Sequence, residues 1–337
     1  MEKILTVSIA AFNVENTLND ALIPFTKCKY KDMLEVLIIS DGSTDNTANI
    51  AKQFVDEYPD TFRLIEKENG GWGSTLNKGM ELGKGKYFKQ LDGDDYFSSN
   101  NLDEFLTFLQ QTEADMVYSP FVTYEDKSGA ILREIGVYDN IPYRVTMPLK
   151  EIKKFAPAMH TLTIRMDILK ENNIKITEHC FYTDVEFVLK SCNYCNSVAF
   201  FDLPIYYYRL ARSGQSMSIG GVRKHYEDHL KMLKKMLDYE LQEVERQEII
   251  DMFHVRLNSA CEMQYIFFLA LQCNAKQQLQ LKLFDKELKN NYPYYYNLVS
   301  NGAVQFLRKT NFHGYKFVGH LQTLRDKRKK INIFEGC

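Results

Sequence analysis

The sequence lacks long apolar runs, which excludes a membrane-spanning helix. Nowhere in its 337 residues is there a stretch close to the roughly 18 uninterrupted apolar residues needed to cross a bilayer. Only a short, strand-like apolar run follows Met1, without a small-residue cleavage site, so we expect no secretion signal. With 45% apolar and 26% charged residues, the chain is predicted to be globular and cytoplasmic.

A disulfide framework is also missing. The seven cysteines are odd in number and scattered along the chain. Cys192 and Cys195 have the spacing of a redox or zinc pair, but no second pair follows them. We therefore favour the interpretation that the cysteines are reduced thiols in a cytoplasm and serve only to pack the protein interior.

The small net charge of −2 conceals a basic carboxyl terminus. After Gly302, eight Lys or Arg residues stand against Asp326 and Glu335, with aromatic and aliphatic side chains between them. Such a segment can lie on anionic lipid, which would hold the chain at the inner face of the cell membrane. A solvated helical end packed on its own domain is an equally open interpretation.

Strand-like and helix-like segments alternate along the first part of the chain. The pattern predicts strands 5–10, 34–40, 62–66 and 87–91, separated by helices 16–25, 47–58 and 74–82. Further along, it predicts a strand over 116–124 and a helix near 166–171. This alternation implies an α/β fold with a Rossmann-like, doubly wound, mostly parallel sheet. Apolar residues at three- and four-residue steps after Gly220 predict a boundary there, between an α/β domain (1–220) and a mainly helical region (221–337).

An acidic cluster, Asp92, Asp94 and Asp95, follows the fourth predicted strand. Ligands of doubly wound sheets gather at the carboxyl ends of the strands, where these residues and Asp41 are expected to meet. Carboxylates spaced in this way suit Mg²⁺ or Mn²⁺ held together with a diphosphate. The alternative is a solvated turn, because Asp-Gly is a common turn dipeptide.

Two further segments lie at the same predicted edge. Asp41 ends the second strand and can accept a hydrogen bond from a nucleobase, although residues 43–45 are also explained as a helix cap. The glycine-rich turn 69–79 can bring backbone N–H groups and Lys78 to an anionic or ribosyl group. It can equally serve only the close packing of backbones, and it matches neither the dinucleotide fingerprint nor the Walker loop.

Four ordered blocks, 7–13, 40–43, 70–79 and 91–95, together resemble family 2 glycosyltransferases of the GT-A fold. The resemblance is clear over about the first hundred residues and continues more weakly to about Ser218. It implies an inverting transferase that binds a nucleotide-sugar, most often a UDP-sugar, with Mn²⁺ or Mg²⁺. Carried over by residue, it implies a nucleotide-sugar site formed by Ala11, Asn13, Glu15, Asp41, Asn77, Lys78, Asp92 and Gly93. In this site Asp41 would face the uracil, and Asp92 would contact the ribose or the cation. Asp94 would be the direct cation ligand, with Asp95 either assisting it or capping the segment that follows.

An inverting transfer also needs a base opposite the leaving group. Asp184 matches the aspartate of the family's acidic pair, while Thr183 replaces the preceding glutamate. Glu186 is the weaker candidate. A carboxylate favoured by the dipole of a helix amino terminus is the alternative for Asp184.

Further candidates lie near the acceptor or the diphosphate. His160 is predicted in the acceptor wall, and Arg209, Arg212 and Gln215 occupy a segment that resembles the loop following the base in related bacterial enzymes. Arginine suits diphosphate oxygens. A structural histidine and a merely polar loop remain the alternatives.

The processive members of the family carry a Gln-x-x-Arg-Trp signature, whereas the only tryptophan here is Trp72. We therefore predict transfer of one sugar per encounter to a growing saccharide or lipid-linked glycan in surface polysaccharide synthesis, with no nucleic-acid partner and with oligomerisation left open. A catalytically silent nucleotide-sugar or glycan-binding protein on the same fold is the main alternative. A nucleotidyltransferase is disfavoured, because no basic glycine-rich loop follows the first strand.

Overall fold

The amino-terminal part of the chain is built on strands that alternate with helices, as shown by a computed structural model that describes residues 2–210, 219–271 and 274–321. The strands are β1 (Leu5–Ala11), β2 (Leu34–Asp41), β3 (Phe62–Lys67), β4 (Tyr87–Asp92), β5 (Tyr96–Phe97), β6 (Met116–Tyr118), β7 (Phe121–Glu125), β8 (Ile131–Ile135), β9 (Thr146–Pro148), β10 (Leu162–Arg165), β11 (Ser197–Phe200) and β12 (Tyr206–Leu210). The helices of this part are α1 (Leu18–Thr26), α2 (Thr47–Glu57), α3 (Trp72–Leu82), α4 (Leu102–Gln111), α5 (Met166–Glu171) and α6 (Asp184–Cys192).

The larger sheet has the strand order β3-β2-β1-β4-β10-β6-β11-β9, and the first four of these strands are parallel. A smaller sheet has the order β5-β12-β7-β8. The predicted α/β class with a mostly parallel sheet is confirmed. Because β1 lies between β2 and β4, the carboxyl ends of three parallel strands meet at one edge, where Asp41 and Asp92 end their strands.

Burial on both faces explains the apolar composition of the central strands. All eight residues of β2 are buried, as expected for a parallel strand with helices on both sides. Helix α3 approaches β1 closely at Gly79, where an added Cβ would lie 2.2 Å from Ser8 Oγ. Only glycine allows this distance between helix and sheet.

The prediction of one strand over residues 116–124 is wrong. The segment forms two strands in different sheets, β6 and β7, separated by Ser119 and Pro120. Proline has no N–H to donate to a ladder, so it favours a break at this point. Residues 206–210, expected to belong to a loop, form strand β12 instead, and β10 runs antiparallel between β4 and β6.

Residues after the smaller sheet form a second, helical unit, with the chain divided into Met1–Leu210 and Ala211–Cys337. Its helices are α7 (Ile219–Glu243), α8 (Gln247–Ala270), α9 (Ala275–Asn291), α10 (Pro293–Leu298) and α11 (Gly302–Lys309). The glycine pair at the predicted domain boundary, Gly220 and Gly221, lies in the first turn of α7. Helices at the carboxyl terminus are thus confirmed.

Within the second unit, buried polar side chains pair with one another. Asp285 accepts hydrogen bonds from Tyr265 Oη at 2.6 Å and Arg308 Nε at 2.8 Å.

Among the described helices, none combines the length and apolar character that crossing a membrane requires. Most cations of the basic tail, from Arg325 onward, lie outside the described residues, so membrane contact stays a prediction.

Candidate active site

The loops that follow β1 and β2 are tied together by side chains predicted to line a nucleoside pocket. Asn13, whose φ of 52° lies in the left-handed region, accepts a hydrogen bond at Oδ1 from Thr44 N at 2.9 Å. Glu15 Oε2 accepts one from Asn46 N at 2.9 Å, and its own N–H donates to Asp45 Oδ2 at 3.1 Å. Both side chains are exposed at the carboxyl edge of the sheet, while Ala11 is buried at the end of β1.

Asp41 holds the glycine-rich turn against β2. Its Oδ1 accepts hydrogen bonds from Lys67 Nζ at 2.6 Å and Gly70 N at 2.9 Å, and its Oδ2 accepts one from Gly71 N at 2.8 Å. The chain itself thus supplies hydrogen-bond partners for the Asp41 carboxylate. Contact with uracil stays a prediction for this residue.

The two residues predicted in α3 differ in their surroundings. Asn77 Oδ1 accepts from Ile176 N at 2.9 Å, and its Nδ2 donates to the Ile176 carbonyl at 2.9 Å and to Glu178 Oε1 at 3.0 Å. Lys78 forms an ion pair with Glu81, one turn further along the helix, at 3.0 Å. The Asn77 contacts fasten α3 to the segment that precedes α6, whereas Lys78 is only partly buried.

The acidic cluster gathers at the end of β4. Asp92, Asp94 and Asp95 bring carboxylate oxygens within 4.8 Å of one another, an arrangement that suits one divalent cation. Gly93 lets the turn lie directly on β1, because its N–H donates to the Ala10 carbonyl at 3.0 Å and an added Cβ would lie 2.9 Å from that oxygen. Any larger residue at position 93 would displace the three aspartates.

Asp92 lies at a desolvated position close to other carboxylates. Burial raises the pKa of Asp92 to about 7, and the charges of Asp94 and Asp184 add to this rise, while a hydrogen bond from Trp72 Nε1, 2.7 Å from Oδ1, opposes it. A cation beside these carboxylates would offset their mutual repulsion. Asp184 is thus one of the charges that influence Asp92, and its role as base stays a prediction.

Asp95 has a structural role inside the cluster. Its Oδ2 accepts a hydrogen bond from Tyr206 Oη at 2.6 Å, and its Oδ1 accepts one from Arg209 N at 2.8 Å. The side chain is buried, and this burial, followed by the charges of Asp94 and Asp92, raises its pKa well above the ordinary value. Asp92 and Asp94 are therefore the better placed pair for a cation.

Arg209 connects the cluster to two more carboxylates. Its Nη1 lies 2.6 Å from Asp126 Oδ1, its Nη2 lies 2.8 Å from Asp20 Oδ2, and its Nε donates to the Asp94 carbonyl at 2.7 Å. Each guanidinium nitrogen thus has a partner within the chain. These contacts favour a positioning role, and pairing with a diphosphate stays a prediction.

Asp184 is the first residue of α6, with Thr183 at the N-cap position. Glu186, two residues later, is fully buried, and its carboxylate binds Lys190 Nζ at 2.7 Å and Thr177 N at 3.1 Å. Glu186 therefore fastens α6 to the preceding segment. Asp184 is only partly buried and remains the better candidate for contact with a substrate.

His160 lies beside the acidic cluster through its aromatic neighbours. The centroid of its ring is 4.7 Å from that of Tyr206 and 4.6 Å from that of Tyr208. An acceptor contact for His160 stays a prediction. Two further predicted residues, Arg212 and Gln215, lie outside the described residues.

Comparisons with known proteins agree with this geometry. The family described as Glycosyl transferase family 2 matches residues 6–172. An uncharacterised glycosyltransferase of Mycoplasma pneumoniae is 30% identical over 224 residues, which span 64% of this chain and 71% of the relative. The chain belongs to glycosyl transferase family 2. A second uncharacterised glycosyltransferase, from Mycoplasma genitalium, is 26% identical over 71% of this chain and 80% of its own length.

Solved structures share the fold of this family 2 glycosyltransferase. S. aureus TarS (residues 1–349), crystallised with UDP-GlcNAc, superposes with a TM-score of 0.66 at 19% identity, covering 97% of this chain and 92% of TarS. The mannosyltransferase PcManGT of Pyrobaculum calidifontis, in complex with GDP-Man and Mn²⁺, superposes with a TM-score of 0.54 at 14% identity, covering 97% and 88%. The resemblance to GT-A glycosyltransferases is therefore confirmed.

Four residues near the site of this glycosyltransferase were not predicted there. Trp72 donates a hydrogen bond to Asp92, and Tyr206 donates one to Asp95. Tyr208 lies on the same face of β12 as Tyr206. Lys89 is fully buried and donates a hydrogen bond to the His160 carbonyl. A lone tryptophan inside a glycine-rich turn and a charged residue inside an apolar strand are signals that the sequence does contain. The two tyrosines carry no such signal, because aromatic residues at alternate positions are typical of any buried strand.

Proposed function

We propose that this glycosyltransferase uses a divalent cation and an inverting mechanism to move a single sugar from a UDP-sugar to a hydroxyl of a growing saccharide or lipid-linked glycan. Surface polysaccharide synthesis is the proposed setting. The observation that carries the proposal is the gathering of the Asp92, Asp94 and Asp95 carboxylates within 4.8 Å at the end of β4, in a chain that belongs to glycosyl transferase family 2. Inverting transfer also needs a base that faces the same sugar, the role proposed for Asp184.

Asp92 and Asp94 would hold the cation, either Mn²⁺ or Mg²⁺. When bound, it supplies positive charge to the diphosphate that leaves the sugar. Trp72 and Gly93 keep the two carboxylates in place, and Asp95 joins their turn to β12. The Mn²⁺ and UDP-GlcNAc complexes of the two structural relatives support a nucleotide-sugar donor bound with a metal ion.

Asp184 takes the role of general base. It accepts the proton of the acceptor hydroxyl while that oxygen forms a bond to C1 of the sugar. The bond between C1 and the diphosphate oxygen breaks on the opposite face, and its electron pair leaves with UDP. Because attack and departure occur on opposite faces, the configuration at C1 inverts.

The decisive experiment screens a panel of UDP-sugars for Mn²⁺-dependent hydrolysis without any acceptor. Asp184→Asn should retain UDP affinity and lose turnover by at least about a hundredfold, the scale of general-base catalysis. Asp167→Asn is the control, since Asp167 is also a first-turn helix carboxylate but pairs with Arg165 at the surface. Binding of UDP-sugars without any hydrolysis or transfer by the wild type would instead identify a silent binding protein.

A further inference from the structure

Strand β12 presents tyrosines to both of its faces. Successive side chains of a strand point in opposite directions, so Tyr206 and Tyr208 share one face and Tyr207 lies on the other. Tyr206 identifies the first face, because its hydroxyl donates to Asp95 and accepts from Asp92 N at 3.2 Å. Tyr207 stacks on Tyr96 at 5.0 Å between ring centroids. Tyr208 therefore lies on the face from which Tyr206 reaches Asp95 and Asp92.

Acidic side chains influence Tyr208. Burial raises its pKa, and the charges of Asp95, Asp92, Asp94 and Asp184 raise it further. The phenol consequently stays protonated at neutral pH and can donate a hydrogen bond. Among the described residues, none forms a hydrogen bond with this hydroxyl, and the side chain is partly exposed.

Aromatic packing fixes the orientation of the Tyr208 ring. The His160 ring lies 4.6 Å from it and stacks in turn on Phe121 at 4.9 Å, with 23° between the planes. The His160 carbonyl is held by Lys89 Nζ at 2.9 Å, from a fully buried side chain. A hydroxyl held in this way loses little rotational freedom when it binds a ligand.

We propose that the Tyr208 hydroxyl donates a hydrogen bond to the hexosyl group of the donor, in the space between the cation aspartates and Asp184. This assignment rests on the proposed function, in which the sugar lies between the departing diphosphate and the base. Tyr208 shares its strand face and its contact with the His160 ring with Tyr206, whose hydroxyl binds Asp95, so its partly exposed side chain lies on the side of the acidic cluster. Contact with the sugar predicts that Tyr208 contributes to the affinity for UDP-hexose and not to the affinity for UDP.

The test compares the full-length wild type with Tyr208→Phe and Tyr207→Phe. Calorimetry with Mn²⁺ measures the affinities for UDP and for a panel of UDP-hexoses that includes UDP-GlcNAc and UDP-glucose. Tyr208→Phe should weaken the affinity for the UDP-hexose that binds best by about three- to tenfold, relative to the affinity for UDP. This is the range expected for the loss of one neutral hydrogen bond. Tyr207→Phe makes the same chemical change on the opposite face and should leave this ratio unchanged.

Each outcome bears on one proposal. An unchanged ratio in Tyr208→Phe, or an equal loss in both variants, would overturn the assignment of Tyr208. Binding is measured without turnover, so the test also works for a protein that does not catalyse transfer. If the wild type bound neither UDP nor any UDP-hexose in the presence of Mn²⁺, the proposed function itself would be overturned.

Discussion

Lys67 and Asp41 form an ion pair across two adjacent parallel strands, with 2.6 Å between Nζ and Oδ1. The pair occupies the last register position of β2 and β3, where the glycine-rich turn begins. The Asp41 side chain is only 3% exposed, while that of Lys67 is 23% exposed. A buried carboxylate with one cation and two backbone donors is a strong anchor for a turn that would lie beside a nucleotide.

Lys67→Met should therefore lower the free energy of unfolding by about 2 kcal/mol, because it leaves the buried Asp41 charge without its cation. Lys52→Met is the matched control. Its pair with Glu66 is 3.4 Å long and more than half exposed on both sides, so its loss should cost under about 0.5 kcal/mol. Urea unfolding followed by circular dichroism measures both. Equal effects would refute the anchoring role of Lys67.

The elements near the amino terminus follow directly from the sequence because local pattern and tertiary environment agree there. β1, β2 and β4 are short apolar runs that become central parallel strands, and α5 has the predicted bounds at Met166–Glu171. The local pattern does not predict the structure where a strand pairs with strands that are distant in the sequence. Nothing in the pattern of residues 162–165 or 206–210 indicates that β10 will insert between β4 and β6, or that β12 will join a second sheet.

The candidate site, too, can be predicted only in part from the local sequence. Motifs predict Asp92, Asp94 and Asp184, since Asp92 ends β4, Asp94 follows it by two residues and Asp184 begins α6. The internal partners of Asp41 and Asp95 could not be predicted, because Lys67 and Tyr206 reach them from other strands. Motifs thus indicate which residue types occupy the edge, while hydrogen bonds across the sheet decide which of them remain available to a ligand.

Trp72 offers a direct probe of the cation site, because it is the only tryptophan and its Nε1 lies 2.7 Å from Asp92 Oδ1. Adding Mn²⁺ with UDP should quench the tryptophan fluorescence, since a paramagnetic ion bound by Asp92 would lie close to the indole. Mg²⁺ with UDP should quench it far less. In Asp94→Ala, quenching should need at least about tenfold more Mn²⁺. Quenching that Asp94→Ala does not alter would place the ion elsewhere.

Lys89 is the basis of a pH prediction. Its side chain is fully buried, its Nζ donates to the His160 and Leu162 carbonyls, and burial lowers its pKa to about 7 from 10.5. Between these two values the unfolded chain binds more protons than the folded one, so this group makes stability rise with pH. From pH 7 to pH 9 the rise should amount to about 2 kcal/mol.

Lys89→Met isolates this contribution. The difference in unfolding free energy between wild type and Lys89→Met, measured in urea from pH 6 to pH 9, should shift in favour of the wild type as the pH rises through 7. Lys52→Met, which alters an exposed lysine, should show no such shift. A wild-type advantage that is constant over this range would contradict a lowered pKa for Lys89.

Tyr206 and Tyr208 share a face of β12, yet their hydroxyl groups differ in their surroundings. The Tyr206 hydroxyl is buried, donates to Asp95 Oδ2 and accepts from Asp92 N. Tyr206→Phe would leave a buried oxygen and a buried N–H without this partner, at a cost of about 2 kcal/mol in unfolding free energy. Tyr208→Phe removes a hydroxyl that makes no hydrogen bond within the described part of the chain, and it should cost under about 0.5 kcal/mol.

The two tyrosine variants should also separate in ligand binding. Because Tyr206 positions Asp92 and Asp95, Tyr206→Phe should weaken UDP binding in the presence of Mn²⁺ by about tenfold, the scale seen for groups that orient metal ligands. Tyr208→Phe should leave UDP binding intact, since its hydroxyl does not contact these ligands. Thermal unfolding and calorimetry on the same preparations measure both effects. If Tyr206→Phe were as stable as Tyr208→Phe, the hydrogen bonds at Asp95 could not be what holds the acidic turn against β12.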